Sequence, residues 1–242
     1  MNTKDLKSQD YDGYHKYDKN VAKNYEKHRQ DEKHWKEEDK FIENYILLRK
    51  NQISSLLDLP IGTGRFIHHY VNINSVVGID ISDSMLDEAR EKLHCLPPDT
   101  SINLLQGSVF DLDFPDKQFD STIIFRLFHL MPQASVKMAI KEICRVTRKE
   151  IVVQTYVPMN YFSILYRKAI TKLKMIINYR NVSSIKETQD TTKPWSHIQA
   201  YYHRQEFFND EFRKFNFFPI TSNLLDKYEN CEVRVTIFSK KN

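Results

Sequence analysis

Between residues 53 and 157, short apolar runs alternate with amphipathic stretches, and this rhythm constrains the fold more than any other feature. The runs are Ile53–Leu59, Ser75–Ile79, Ser101–Gln106, Asp120–Phe125 and Ile151–Val157, each too short for a buried helix. The first ends at Pro60, and the residue before a proline favours extended backbone. Helix signals fill the gaps. Arg65–Tyr70 follows a glycine-containing turn. Ser82 or Asp83 can cap a stretch reaching Leu93, with Met85, Leu86 and Ala89 on one face. Pro132 opens another stretch, to about Thr147, aligning Val136, Ala139, Ile140 and Ile143. Strands alternating with helices predict a doubly wound α/β fold, a mostly parallel sheet covered on both faces.

The flanks follow other patterns. Residues 1–35 are polar and rich in Lys and Tyr, and Lys36–Asn51 reads as a helix with Phe41, Tyr45, Leu48 and Gln52 at helical spacing. After residue 157 a helix is expected over Tyr161–Tyr179 and another over Gln205–Phe215. Phe217–Thr221 and Glu232–Phe238 then read as strands able to pair as an antiparallel edge. One domain is expected, with a helical cap over 1–52, a core over 53–157, a basic helical insertion or lid over 158–204, and a C-terminal helix and strands over 205–242.

Composition excludes several classes. The longest apolar runs fall short of the roughly 18 residues a bilayer span needs, and the N-terminus has no apolar signal-peptide segment. A cytoplasmic protein is the expectation. Cys95, Cys144 and Cys231 are far apart and form no metal-ligand spacing, so free thiols and no metal are expected. The net charge of +4 is uneven: residues 160–204 alone carry +6. A local basic excess points to an anionic partner.

Glycine is scarce, with five in the chain, and four stand at the ends of the apolar runs. Gly62 and Gly64 lie in Asp58-Leu59-Pro60-Ile61-Gly62-Thr63-Gly64, between the first strand and the next helix. Two glycines there let a ligand lie against the backbone at the carboxyl end of a strand. Asp80 ends the following strand, where a carboxylate can accept two hydrogen bonds from a ribose diol. The dinucleotide fingerprint fails, because its last small position is Ile67, and no phosphate-loop G-K-[ST] is present. An acid for a ribose without a pyrophosphate cradle fits a nucleoside cofactor lacking phosphates, such as S-adenosylmethionine.

Leu57–Phe66, Val77–Met85, Gln106–Phe114 and Phe119–Leu130 resemble the successive motifs of the class I S-adenosylmethionine-dependent methyltransferases, of the small-molecule type. The resemblance implies a Rossmann-like sheet whose C-terminal strand runs antiparallel. It implies that Asp58 and the turn through Pro60, Gly62, Thr63 and Gly64 hold the methionine end of the cofactor. Asp80 would take the ribose, Ile81 and Val109 would sandwich the adenine, and Met85, Gly107 and Ser108 would complete that wall. Phe125 and Arg126 would line the donor methyl, and Tyr25 and Arg29 would close over the cofactor from the N-terminal side. The same Tyr25–Arg29 spacing also suits a solvated charged helix. Two positions depart from the family pattern. Pro60 replaces its first glycine and has no N–H, and Ser108 replaces an acid that reads the adenine amine.

His129 is the candidate general base should the acceptor arrive protonated, or else a structural histidine at a helix start. Tyr156, Tyr202 and His203 are second-line candidates for the substrate pocket. The stripe Phe162, Leu165, Tyr166, Ala169, Leu173 and Ile176, flanked by Arg167, Lys168, Lys172 and Lys174, suits a lid helix packed on the sheet. It also suits peripheral contact with an anionic membrane over 161–179, or a basic rim for an acidic acceptor; an RNA backbone is a further possibility. Phe125-Arg126-Leu127-Phe128 is not the tetrapeptide of enzymes that methylate base amines, so a small-molecule or anionic acceptor is favoured over nucleic acid. A non-catalytic cofactor-binding subunit is the competing class. A nicotinamide oxidoreductase is disfavoured by Ile67 and by the lack of Tyr-x-x-x-Lys.

Overall fold

The computed structural model describes residues 17–159, 201–228 and 230–241. Strands β1 (Ser55–Asp58), β2 (Ser75–Asp80), β3 (Ile102–Gln106), β4 (Phe119–Ile124) and β5 (Thr147–Pro158) run parallel. β6 (Phe217–Lys227) and β7 (Cys231–Lys240) follow, and β7 lies antiparallel between β5 and β6. The order is β3-β2-β1-β4-β5-β7-β6. Strand order therefore reverses between β1 and β4, and a crevice opens at their carboxyl ends. The expected doubly wound sheet with an antiparallel C-terminal strand is what forms.

Helices α1 (Lys19–Arg29), α2 (Lys33–Arg49), α3 (Asp83–Leu93), α4 (Gln133–Val146) and α5 (Gln205–Arg213) complete the described architecture. Each central strand is buried on both faces, β4 throughout, so alternate side chains feed two cores. On one face Leu57, Val77, Ile151 and Val153 pack with Val136, Ala139 and Ile140 of α4 and Phe208 and Phe212 of α5. On the other, Leu56, Val76, Ile123 and Val152 pack with Ile42, Tyr45 and Ile46 of α2 and Leu86 of α3. The expected stripe of α3 is buried, and Ser82 caps that helix by accepting from the Met85 N–H at 3.4 Å. Pro132 stands one position earlier than expected, as the N-cap of α4 with extended ψ of 161°.

Two expectations need correction. Arg65–Tyr70 is not an α-helix; only Ile67–His69 coils, as one 3-10 turn. Phe66, Ile67 and Tyr70 are buried together in the core that α2 faces, and a segment this short gains little from helical bonding of its own. In α2 the buried stripe is His34, Glu38, Ile42, Tyr45 and Ile46, while Leu48 is 73% exposed. Of the expected stripe Tyr45 is buried and Phe41 packs partly against the core, but the buried face is turned away from Leu48 to take in the polar His34 and Glu38. The expected helix Tyr161–Tyr179 lies outside the described residues.

Glu38 explains the inward polar residues. Its carboxylate is fully buried. It accepts from Arg126 Nε and Nη2 at 3.2 and 3.0 Å, from Gln154 Nε2 at 2.6 Å, and from Arg65. Arg126 also pairs with Glu32 at 3.0 Å. These bonds fasten α2 over the carboxyl ends of β4 and β5. A buried carboxylate is tolerated only when its lone pairs are filled in this way. Burial opposes the charge on Arg126, yet Glu38, Tyr156, Tyr25 and Glu32 together outweigh it and hold the guanidinium well above its ordinary range. Removing Glu38 would take the buried carboxylate from Arg65 and leave Arg126 with Glu32 alone. Glu38→Ala is expected to lower stability by about 3–5 kcal/mol in urea unfolding; a loss within 1 kcal/mol of zero would contradict this role for the cluster.

Candidate functional site

The turn after β1 approaches β2 and α3 closely, and its glycines meet different needs. Gly62 and Gly64 have φ of +57° and +70°, a region costly for residues with a Cβ. At Gly64 a Cβ would also stand 2.9 Å from Ala89 Cβ of α3. Gly78 serves packing: a Cβ there would meet Ile61 Cδ1 at 2.2 Å and Leu104 Cδ2 at 2.8 Å. There the turn's own Ile61 fills the space.

Asp80 joins two loops. Its Oδ2 accepts from the Gly62 N–H and its Oδ1 from the Ser82 N–H, both at 2.9 Å. Burial pushes the carboxyl up to about 6, and these backbone donors hold it from rising further. With Ile81 also donating from its backbone, the carboxylate still keeps acceptor capacity for a further donor. Asp58 sits deeper. Its Oδ2 accepts from the Tyr70 hydroxyl at 2.9 Å, and burial raises it to about 7, with the nearby Asp80 charge adding to the shift.

Two adjoining cavities share Pro60 and Asp80. The first, about 420 Å³, is walled by Leu59, Ile81, Gly107, Ser108, Val109, Phe110, Leu127 and Met131. The second, about 600 Å³, is bounded by Tyr17, Tyr25, Trp35, Ile61, Gly62, Thr63, Arg65, Phe66, Met85, Phe125, Arg126 and Leu130. Apolar walls with few polar groups suit a flat heteroaromatic ring in the first, and Asp80 at the junction suits a diol. The donor set and shape thus fit a nucleoside cofactor. Ser108 Oγ accepts from the Phe110 N–H at 3.3 Å, a long bond that leaves acceptor capacity.

Most of the expected cofactor residues meet here, and the others stand apart. Asp58 and Gly64 lie behind the turn, against Tyr70 and Ala89. Arg29 pairs with Glu32 at 3.0 Å, with its guanidinium 5.4 Å from the Tyr25 ring centroid. Arg126 reaches the second cavity with φ of +56°, its N–H held by Gln154 Oε1 at 2.8 Å. His129 packs against Tyr156, ring centroids 4.6 Å apart, outside the walls of both cavities. Burial, then Arg29 and Arg126, holds its imidazole down to about 3, so the ring is neutral at pH 7. Its Nδ1 is buried with no hydrogen-bond partner among the described residues. Tyr156 faces His34 across 3.5 Å. Tyr202 and His203 line a separate open depression with Pro132 and Phe207, and His203 Nε2 lies 3.1 Å from the Met131 carbonyl.

Sequence reasoning missed Trp35 and Arg65. Arg65 stacks on Trp35 at 3.6 Å and donates to its carbonyl, while Arg126 lies 4.9 Å from the same ring. A lone tryptophan inside a charged stretch was the available signal. Its burial depends on contacts distant in sequence. Glu26 was also missed: it accepts from Thr63 Oγ1 at 2.6 Å and from Lys92, tying α1 to the glycine turn.

Residues 56–150 match the family model described as methyltransferase domain. The chain is 34% identical over 94 residues to a phosphatidylethanolamine N-methyltransferase of Cereibacter sphaeroides, covering 39% of this chain and 45% of that protein. It is 40% identical over 73 residues to a ubiquinone/menaquinone biosynthesis C-methyltransferase of Pasteurella multocida, covering 28% of this chain and 27% of that protein. The chain thus spans less than half the length of these curated relatives. Among solved structures, the magnesium protoporphyrin IX methyltransferase of Synechocystis with bound SAH superposes with a TM-score of 0.62 at 14% identity, covering 86% of this chain and 84% of that one. At that identity the likeness speaks for the fold. Residues 56–150 thus match a methyltransferase domain, and the fold around them is that of solved S-adenosylmethionine-dependent methyltransferases.

Proposed function

We propose that this protein transfers a methyl group from S-adenosylmethionine to a lipid-linked or anionic small molecule. The observation that carries the reading is the pair of cavities meeting at the buried Asp80 carboxylate. When bound, the cofactor supplies an activated methyl on a sulfonium. The protein's work is then to bind, orient and exclude water. Asp80 would accept from the ribose hydroxyls, Ile81 and Val109 would flank the adenine, and Ser108 would accept from its amine. The turn through Pro60, Gly62 and Thr63 would seat the methionine end, with Tyr25 above it; Asp58 and Gly64 would shape that turn from behind. Phe125 and Arg126 would face the acceptor. In this reading residues 1–52 act as a cap on a core of 53–157, and 158–204 supply the acceptor side.

Two relatives bear the names of phospholipid and quinone methyltransferases, and this supports a lipid-linked acceptor. The described residues contain no helix long and apolar enough to cross a membrane, so such an acceptor would be met at the surface, with the basic stretch 161–179 as the contact. His129 is neutral and weakly basic, so its part would be to orient an acceptor by a hydrogen bond, with Tyr156 beside it. The competing reading, a cofactor-binding subunit without activity, draws on the place of His129 outside both cavities.

Calorimetry is expected to show one site for S-adenosylmethionine, weakened about tenfold or more by Asp80→Asn; no binding by the parent protein would overturn the reading. A diol donates best to an ionised carboxylate, so binding should release a proton from Asp80. Affinity is then expected to be flat above pH 6 and to fall about tenfold per pH unit below it, and Asp80→Asn should remove that slope. Labelled methyl supplied with a cell extract should be recovered in the lipid fraction. Recovery in water-soluble metabolites alone would exclude a lipid acceptor, and cofactor binding without transfer to any fraction would favour the inactive subunit.

A further inference from the structure

We propose that Asp39, His68 and His69 form a binding site for a divalent transition-metal ion of the zinc class, where α2 meets the 3-10 turn after the glycine loop. One ligand atom from each residue converges, all within 4.8 Å of one another. His69 Nε2 lies 3.2 Å and His68 Nε2 3.9 Å from the same Asp39 oxygen, Oδ1. Bond lengths near 2.0–2.2 Å place tetrahedral ligand atoms about 3.3 Å apart. His69 and Asp39 already stand at that spacing, and His68 lies about half an ångström beyond it from the same oxygen.

The local conformation makes the convergence informative. Successive side chains of a 3-10 turn point about 120° apart, yet the rings of His68 and His69 have centroids 3.8 Å apart. Both rings have swung toward one carboxylate oxygen. A simple ion pair would need only one of them. Imidazole nitrogens and a carboxylate are the ligand types that zinc-class ions prefer, while magnesium and calcium favour all-oxygen sites.

Two further features suit a metal. His68 hydrogen-bonds to the Arg65 backbone, a bond of the kind that orients metal-ligating imidazoles. His69 is 11% exposed, whereas the His68 and Asp39 side chains are 54% and 39% exposed. One flank is anchored, and the other is open to water as a fourth ligand. An ion there would bridge the cap helix α2 to the turn that follows Gly64. The spacing of cysteines and histidines gave no sign of this, because Asp39 and the histidine pair meet only through the fold.

The test is calorimetric titration of the full chain with Zn²⁺, together with visible absorption after adding Co²⁺. One saturable Zn²⁺ site per chain is expected, with Co²⁺ bands of low coordination number. His68→Gln, His69→Gln and Asp39→Asn should each weaken binding about tenfold or more. His68 is more than half exposed, so His68→Gln should retain the parent's circular dichroism and keeps the test valid if His69→Gln unfolds. Absence of a saturable site in the parent protein would overturn the proposal. So would undiminished binding in the His68→Gln/Asp39→Asn double variant, which would place the ion on other histidines or on the exposed Cys95.

Discussion

The reversal of strand order between β1 and β4 is the constraint on which the rest of the molecule depends. Connections leaving the two strands depart to opposite sides, so their carboxyl ends have no covering crossover. Everything in the site answers to that crevice. The turn after β1 folds back on β2 and is pinned there by the Gly62 N–H on Asp80. Ile61 fills the hollow left by Gly78. A buried acid at about 6 then stands where a diol can reach it.

The crevice is roofed by a charged cluster. Glu32, Glu38, Arg65 and Arg126 meet beneath α2, with the Trp35 ring near both guanidiniums. A buried ion-pair cluster of this kind gives little net stability over an apolar packing, because desolvating the charges offsets most of their attraction. Its effect is geometric: each bond has one partner set, so α2 sits in one place. Burial first, then Arg29 and the cluster's own Arg126, holds His129 down. Roof, cavity wall and the character of the nearest imidazole are thus one electrostatic arrangement.

Much of this was legible beforehand. The strand–helix rhythm rests on local apolar runs, and it gave every central strand and the faces of α3 and α4. Asp80, Gly62, Ile81 and Val109 were readable because strand ends and glycine turns carry local signals. The failures share a cause. Leu48 looked like a core residue and Glu38 did not, because hydrophobic periodicity cannot see that a distant Arg126 and Arg65 will neutralise a carboxylate. Arg65–Tyr70 looked like a helix because it fills the gap between two strands after the glycine turn, where the structure leaves room for only one 3-10 turn. Asp58 reads as a ligand residue in the motif, but it stands behind the turn, where Tyr70 takes one of its oxygens.

The sequence by itself determined the doubly wound sheet, the cofactor class and the two loops that meet at Asp80, since each follows from backbone needs within a few residues of one another. Only the tertiary structure decided which face of α2 is buried, where His129 stands, and that Asp39 comes to the histidine pair. Those outcomes depend on charges and ligand atoms far apart in the chain. Their energies exist only once burial removes water and fixes the distance between them.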